Sequence, residues 1–518
     1  MKNINKIILS LFVISSFCGC SKNLLNKTPE DRLSPSTFYQ NETQCKMALI
    51  GIYNALQPNA TPGHFYQFDY MSDNGYCQDS WQGSKEIGEW LTNSSSWGPY
   101  AKWTQDYTII ARANEFLQDI SKATVSDDVK KSMSAEAIFL RGYAYTDLIT
   151  YFGDVPLITD VLALSDAYVS RTAKSDVLTQ ILTDFTNAAA ALPASYSGSD
   201  VGRATKGAAL AYKAKVLLYN KKWTDAAQAA LDVMNLKTYD LYSDYAGLFS
   251  EAHEDNIEVI FDIQYIPTTQ PQPWPSAALS LSSWPTANVT ADLINSYYMT
   301  SGLAIANAAS GYDAQNPFKN RDPRLAASVV LPGSAFGSTT YIPALDQVPC
   351  GARPRKYASI GIADINNNSL NTILMRYADI YLMRAEALIE SGSTDQEIYT
   401  LIDKVRARVN MPTVESVEGA GLSQDQLRAI VRHERRVEFY NEGTRYADML
   451  RWQDVSLVHD VYGYDKSLLS DPSSPATWTF SQIKMETRNF DASKGWLWPV
   501  PQGDIDINKK LLPNNPGY

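Results

Sequence analysis

Residues 372–412 read TILMRYADIYLMRAEALIESGSTDQEIYTLIDKVRARVNMP, and residues 423–452 read SQDQLRAIVRHERRVEFYNEGTRYADMLRW. In the first segment Leu374, Ala378, Tyr381, Ala385 and Leu388 recur at alternating steps of four and three. That spacing puts them on one face of a 3.6-period helix. Gly392 ends this helix, and Ser393 with Gln396 is spaced to cap the next one reciprocally. Ile398, Leu401, Ile402, Val405 and Val409 then form an apolar stripe that Pro412 stops. Two such stripes joined by a short turn predict an antiparallel helical hairpin, the unit from which helical-repeat scaffolds are stacked. Ser423 and Gln426 repeat the capping pattern ahead of a third helix carrying Leu427, Ile430 and Val431.

Working outward, the segment 206–235 predicts another hairpin, with Leu210, Ala214 and Leu217 on one helix, Ala227, Ala230, Leu231 and Met234 on the other, and Trp223 at the turn. Small alanines where helices cross and an aromatic at the turn are similar to a tetratricopeptide repeat, whose full consensus is absent. Residues 134–158, SAEAIFLRGYAYTDLITYFGDVPLI, form an amphipathic helix closed by Gly153 and Pro156. Leu49, Ile52, Tyr53 and Leu56 give an earlier helix its stripe. Between Phe261 and Leu370 the helical period is lost.

The first twenty residues read as an address. Lys2 and Lys6 precede an apolar run from Ile7 to Phe17, too short to span a bilayer, and Gly19 stands before Cys20. A small residue before a cysteine at this point resembles a bacterial lipobox, in which Cys20 would be lipidated. Cys45, Cys77 and Cys350 remain beyond it, too few for a disulfide framework and without CxxC spacing, so each is expected to be a buried apolar filler.

RYADIYLMRAEALIE, IDKVRARVNMP and RHERRVEFYNEGTRYADMLRW resemble the C-terminal signature of the SusD/RagB-like outer-membrane lipoproteins. Glu136, Arg141, Tyr145 and the GDVP turn, RDPRL at 321–325, and the closing WLWPVPQGDIDINKKLLPNNPGY extend the resemblance along the chain. It implies a surface protein that captures oligosaccharide and passes it to a SusC-like TonB-dependent transporter, closing over it as a lid. It also implies structural ion pairs for Glu136 and Arg141, a structural role for RDPRL, and packed Trp496 and Trp498. The expected fold is mainly α, with tetratricopeptide-like helical hairpins as scaffold, extensive irregular loops and few short strands. Residues 1–19 are expected to be a lipoprotein signal peptide and 20–40 a lipidated tether. A single domain is expected over 41–518, with an N-terminal helical half to about 262 and a C-terminal half from about 263.

The ligand is expected on loops. Residues 62–100 are rich in Gly, Ser, Asn and Asp and hold Trp81, Trp90 and Trp97, while Trp274 and Trp284 each precede a proline that biases them toward extended backbone. An indole offers a rigid apolar face on which sugar C–H groups stack, and Asp73, Asn74, Asp79 and Gln82 are candidate hydroxyl partners. Core or interface packing is the alternative for each tryptophan.

No cofactor or metal is expected, and no nucleic acid, since the net charge is −11. His433-Glu434 lacks the second histidine of HExxH, because Val437 stands there, and structural ion pairing on a helix surface is the expected role of 433–437. The run 364–368 lacks the glycine and glutamate of a calcium loop. An α-helical glycoside hydrolase, a non-binding structural subunit of the transporter complex and a peptide-binding RagB-like role are the rival readings.

Overall fold

The apolar stripes read from the sequence are buried or half-buried against the core in a computed structural model that describes residues 38–57, 67–80, 83–269, 271, 286–357, 367, 369–471 and 477–518. Its helices are α1 (Glu42–Asn54), α2 (Gln67–Tyr70), α3 (Ser84–Gly88), α4 (Trp97–Ile120), α5 (Asp127–Tyr151), α6 (Lys174–Ala191), α7 (Lys206–Tyr219) and α8 (Trp223–Asn235). They continue with α9 (Ala291–Ser296), α10 (Pro323–Ser328), α11 (Tyr377–Glu390), α12 (Gln396–Arg408), α13 (Val414–Glu418), α14 (Gln424–Glu438), α15 (Arg445–Trp452) and α16 (Gln502–Ile507). Short strands pair antiparallel in twos: β1 (Gly75–Cys77) with β3 (Ala287–Val289), β2 (Val259–Ile263) with β8 (Thr372–Arg376), β4 (Val329–Val330) with β7 (Arg353–Pro354), β5 (Ala335–Phe336) with β6 (Thr339–Thr340), and β9 (Val461–Tyr464) with β10 (Gln482–Glu486).

Each of α4 to α7 packs on the next helix, α8 packs on α11, and α11 packs on α12 and α14. The scaffold is therefore continuous across the irregular stretch between the two halves. Small residues set its spacing. Ala208, Ala211, Ala214 and Ala230 are fully buried, and a Cβ on Gly142 of α5 would meet the Phe185 ring of α6 at 2.8 Å. Arg384 of α11 donates to the Ala227 carbonyl of α8 at 2.6 Å, fastening the halves to each other. Cys45, Cys77 and Cys350 are buried and unpaired, as expected. No helix among the described residues is long and apolar enough to cross a membrane.

Three local expectations are corrected. Residues 372–376 form a strand, not the first turn of a helix: Asp262, Ile263 and their neighbours in β2 pair with them, and α11 starts only at Tyr377. The alternation of Thr372, Ile373 and Leu374 was masked by a helical period that runs on behind it. Ser393 and Gln396 do not close a capping box; the N-cap is Asp395, and Ser393 Oγ instead donates to the Asp395 carboxylate at 2.7 Å. The box at Ser423 and Gln426 does form. Finally α4 begins at Trp97, so the irregular stretch ends earlier than its composition implied.

The 433–437 run is also corrected, from a helix surface to the interior. Glu434 accepts from Arg324 at 2.6 Å and Arg406 at 2.8 Å. Glu438 accepts from Arg324 at 2.9 Å, from Arg376 at 2.7 Å and from Arg408. Burial pushes Glu438 upward, but Arg408, Arg376, Arg324 and Lys356 together outweigh it and hold its carboxyl well below the usual range. RDPRL is structural: Arg321 donates to the Ile294 and Tyr297 carbonyls and Asp322 caps α10, while Arg324 reaches Glu434. Arg141 pairs with Asp184 of α6, and Glu136 with Arg203 of the connection before α7.

Candidate functional site

The β1–β3 ladder is the base on which the candidate loops stand. Gly75 pairs with Val289 and Cys77 with Ala287, so the chain leaves β1 and enters β3 at the same end. Gly75 is required by close approach, since a Cβ there would meet the Asn288 carbonyl and the Tyr70 ring, each at 2.7 Å. Just past that end, Thr286 Oγ1 donates to the Asp79 carboxylate at 2.5 Å. Asp79 lies two residues from Trp81 and Thr286 two from Trp284. Trp81, Gln82, Trp274, Trp284 and Cys20 themselves lie outside the described residues.

Trp97 is 46% exposed and Tyr100 40%, their ring centres 5.4 Å apart and their planes tilted by 40°. They share a face of α4 because positions three apart on a helix are neighbours. Gly98 beside them packs on Ile87 and approaches the Gly83 carbonyl, a Cβ there lying 2.6 Å from Ile87 and 3.8 Å from that oxygen. This puts the start of α4 against the residues that follow Trp81 and Gln82. Tyr100 was not singled out from the sequence, although its spacing from Trp97 was a usable signal.

The other predicted positions are not surface groups. Trp90 is 6% exposed, donates through Nε1 to the Gly495 carbonyl at 3.3 Å and packs among Trp496, Phe490 and Tyr446. A sugar has no access to that ring face, so Trp90 belongs to the core. Asp73 accepts from Arg445 through both oxygens at 2.8 Å and from Arg436 at 3.1 Å. Burial raises its pKa, but Arg436 and Arg445 overcome that and hold it well below the carboxylate range. Asn74 accepts from Arg436 Nε at 2.8 Å and donates to Asp69 at 3.1 Å. Both side chains are spent on clamping the base of the loops to α14 and α15.

Asp73, Asp292 and His459 bring ligand atoms within 4.8 Å of one another. Arg436 lies against both carboxylates, 2.6 Å from Asp292, so a guanidinium already supplies the positive charge there. His433 is stacked on Tyr298 at 4.0 Å and donates through Nε2 to the Ser296 carbonyl at 2.8 Å. Burial lowers its pKa to about 4, which leaves the ring neutral and able to make that bond at neutral pH. Glu434 beside it is committed to two arginines.

A sequence model described as the SusD family matches residues 258–518, just over half of the chain. The chain belongs to the SusD family. A second model, described as starch-binding associating with outer membrane, matches residues 24–218 of this SusD-family chain. SusD-like protein P25 of Formosa agariphila is 26% identical to it, with 99% of each chain covered. A crystallised SusD-like carbohydrate binding protein from Bacteroides fragilis is 29% identical and superimposes with a TM-score of 0.83 over 92% of this chain and 100% of that one. A further SusD-like protein from the same species is 25% identical, with a TM-score of 0.81 over 95% and 100%. The SusD-family fold accounts for the mainly helical scaffold and its few short strands.

Proposed function

We propose that this SusD-family protein binds a glycan on the face built over the β1–β3 ladder, with Trp81, Trp97, Trp274 and Trp284 as stacking rings and Tyr100 beside Trp97. The observation that carries this reading is the Asp79–Thr286 hydrogen bond at the end of the ladder, which ties together the two segments bearing Trp81 and Trp284. Supporting it are the exposed Trp97–Tyr100 pair and the relationship to a Bacteroides fragilis protein described as carbohydrate binding. Stacking on rigid indoles freezes few rotamers, and binding of this kind needs no catalytic group. The protein is held at the outer membrane by lipid on Cys20, faces outward, and hands its ligand to a SusC-like TonB-dependent transporter.

Affinity electrophoresis of the full chain against a panel of neutral and acidic polysaccharides tests the binding step. The expected result is retardation by at least one glycan, lost in Trp81→Ala and Trp284→Ala with unchanged melting. Equal retardation of the variants would remove the platform, and release of new reducing ends would replace binding by hydrolysis. Co-purification of the transporter with the lipidated chain, absent for Cys20→Ala, tests the delivery step.

A further inference from the structure

A second concavity lies away from the β1–β3 ladder. It is a cleft of about 650 Å³ between the end of α5, the start of α6, the α7–α8 turn, the end of α15 and the C-terminal segment. Its wall carries Arg171, Lys174, Lys221, Arg451 and Lys494 against a single carboxylate, Asp154. On a chain of net charge −11 this concentration of cations is a local reversal of sign.

The partners of these groups decide what the cleft can take. Arg451 is neutralised by Glu386 and Asp448. Asp154 accepts from the Lys174 backbone N–H at 2.8 Å, so it serves the first turn of α6, whose N-cap Ala173 has no capping side chain. Arg171 donates to neutral oxygens, the Asp154 carbonyl at 2.8 Å, the Pro513 carbonyl at 2.7 Å and Asn515 Oδ1 at 2.5 Å. Among the described residues neither Lys174 nor Lys221 has a carboxylate within ion-pair distance. Burial lowers the pKa of Lys174, with Asp154 opposing and Lys221 adding to the fall, and burial likewise lowers that of Arg171. Half-buried Arg171 and Lys174 have only Asp154 as a nearby counter-charge and Lys221 beside them is exposed, so the wall holds more positive than negative charge and favours an anion. Trp496, half-buried on the same wall, adds a flat apolar surface, and Tyr219 there has a hydroxyl without a hydrogen-bond partner.

We propose that this cleft is a second binding site, for an acidic oligosaccharide whose carboxylate or sulfate groups pair with Arg171, Lys174 and Lys221 while a sugar ring lies on Trp496. The anionic character follows from the cleft's own charges; the choice of a saccharide rests on the glycan-binding reading above.

Calorimetry on the full chain with tetragalacturonate, its methyl ester and a chondroitin sulfate hexasaccharide tests it. Binding of at least one acidic probe is expected at low salt, about tenfold or more weaker at roughly 300 mM than at roughly 50 mM salt because exposed charge pairs are screened. If tetragalacturonate binds, its ester should bind at least about tenfold more weakly, removing the carboxylate charge while keeping the rings. A sulfate requirement would show as binding of the chondroitin probe alone. Lys174→Gln combined with Lys221→Gln should weaken the acidic probe about tenfold with unchanged melting, and Trp284→Ala should leave it bound. Failure of both acidic probes to bind, equal binding of the ester, or equal binding by the double variant would overturn the site. Loss in Trp284→Ala with retention in the double lysine variant would assign the acidic glycan to the aromatic face and leave that reading standing.

Discussion

Between α4 and α8 the helices touch through Ala208, Ala211, Ala214, Ala230 and the Phe139–Phe185 pair, whereas around α14 the equivalent space holds Arg324, Arg376, Arg406 and Arg408 against Glu258, Glu434 and Glu438. Both sets of side chains are buried, yet they are expected to respond to damage differently. Trimming an apolar side chain loses a few contacts and leaves a small cavity. Removing one charge from a buried network strands its partners without water, and that penalty dominates. The second arrangement is specific because Glu434 and Glu438 of α14 accept from arginines placed by other elements.

The largest expected effect lies in the charged interior. Glu438→Gln keeps the shape but takes one buried negative charge from Arg324, Arg376 and Arg408, and a loss of about 3 kcal/mol is expected in urea unfolding. The wild-type carboxyl sits below its ordinary value when folded. Its contribution is therefore complete above the unfolded value of 4.5 and is lost as pH falls through the folded one, so the variant should show a flatter acid limb. A loss no larger than that of an exposed glutamate would end the contrast.

Next in size is binding at the aromatic face. Trp97→Ala should weaken a retained glycan by about tenfold, roughly 1.4 kcal/mol, without moving the melting temperature, because the ring is 46% exposed. Trp90→Ala sharpens the comparison by failing in the opposite way: its ring is core, and destabilisation of about 3–5 kcal/mol is the expected readout.

In the apolar half, Ile181→Val removes one methylene from a fully buried site of α6 and should cost about 0.5–1.5 kcal/mol. The smallest effect is a slope. Burial, with Asp255 and Glu251 adding to it against the Asn371 N–H, raises Glu254 to about 7, so wild-type stability should decline as pH rises from the unfolded value of 4.5 through about 7. Glu254→Gln keeps an acceptor for the Asn371 N–H, and its stability between pH 5 and about 8 should decline less. An unchanged slope would show that Glu254 is solvated.

The helices and their hairpins were legible because a 3.6 period is a local property, visible in Ile398, Leu401, Ile402 and Val405 without any partner. The strand at 372–376 was not, since what makes Ile373 a strand residue is β2, more than a hundred positions earlier. Charge was the least legible. Nothing local separates Glu434, enclosed by two arginines, from a solvated glutamate on a helix surface, because burial of an ion depends on who arrives opposite it. The same blindness led Asp73 and Asn74 to be read as ligand contacts when they answer to Arg436 and Arg445. Trp97 kept its predicted exposure and Trp90 did not, a difference set by Gly495, Trp496 and Phe490 at the far end of the sequence.

The clamp on the β1–β3 base joins residues far apart along the polypeptide: Arg445 to Asp73, 372 positions away, Tyr70 to Asn441, 371 away, and Arg488 to the Ser72 carbonyl, 416 away. Closing such wide loops is slow, and local helical pairs form before them. The β1–β3 base is therefore expected to form after the helical hairpins, and a chain truncated ahead of Arg445 should retain alanine-lined hairpins while lacking the Arg445 and Arg488 contacts that fix that base.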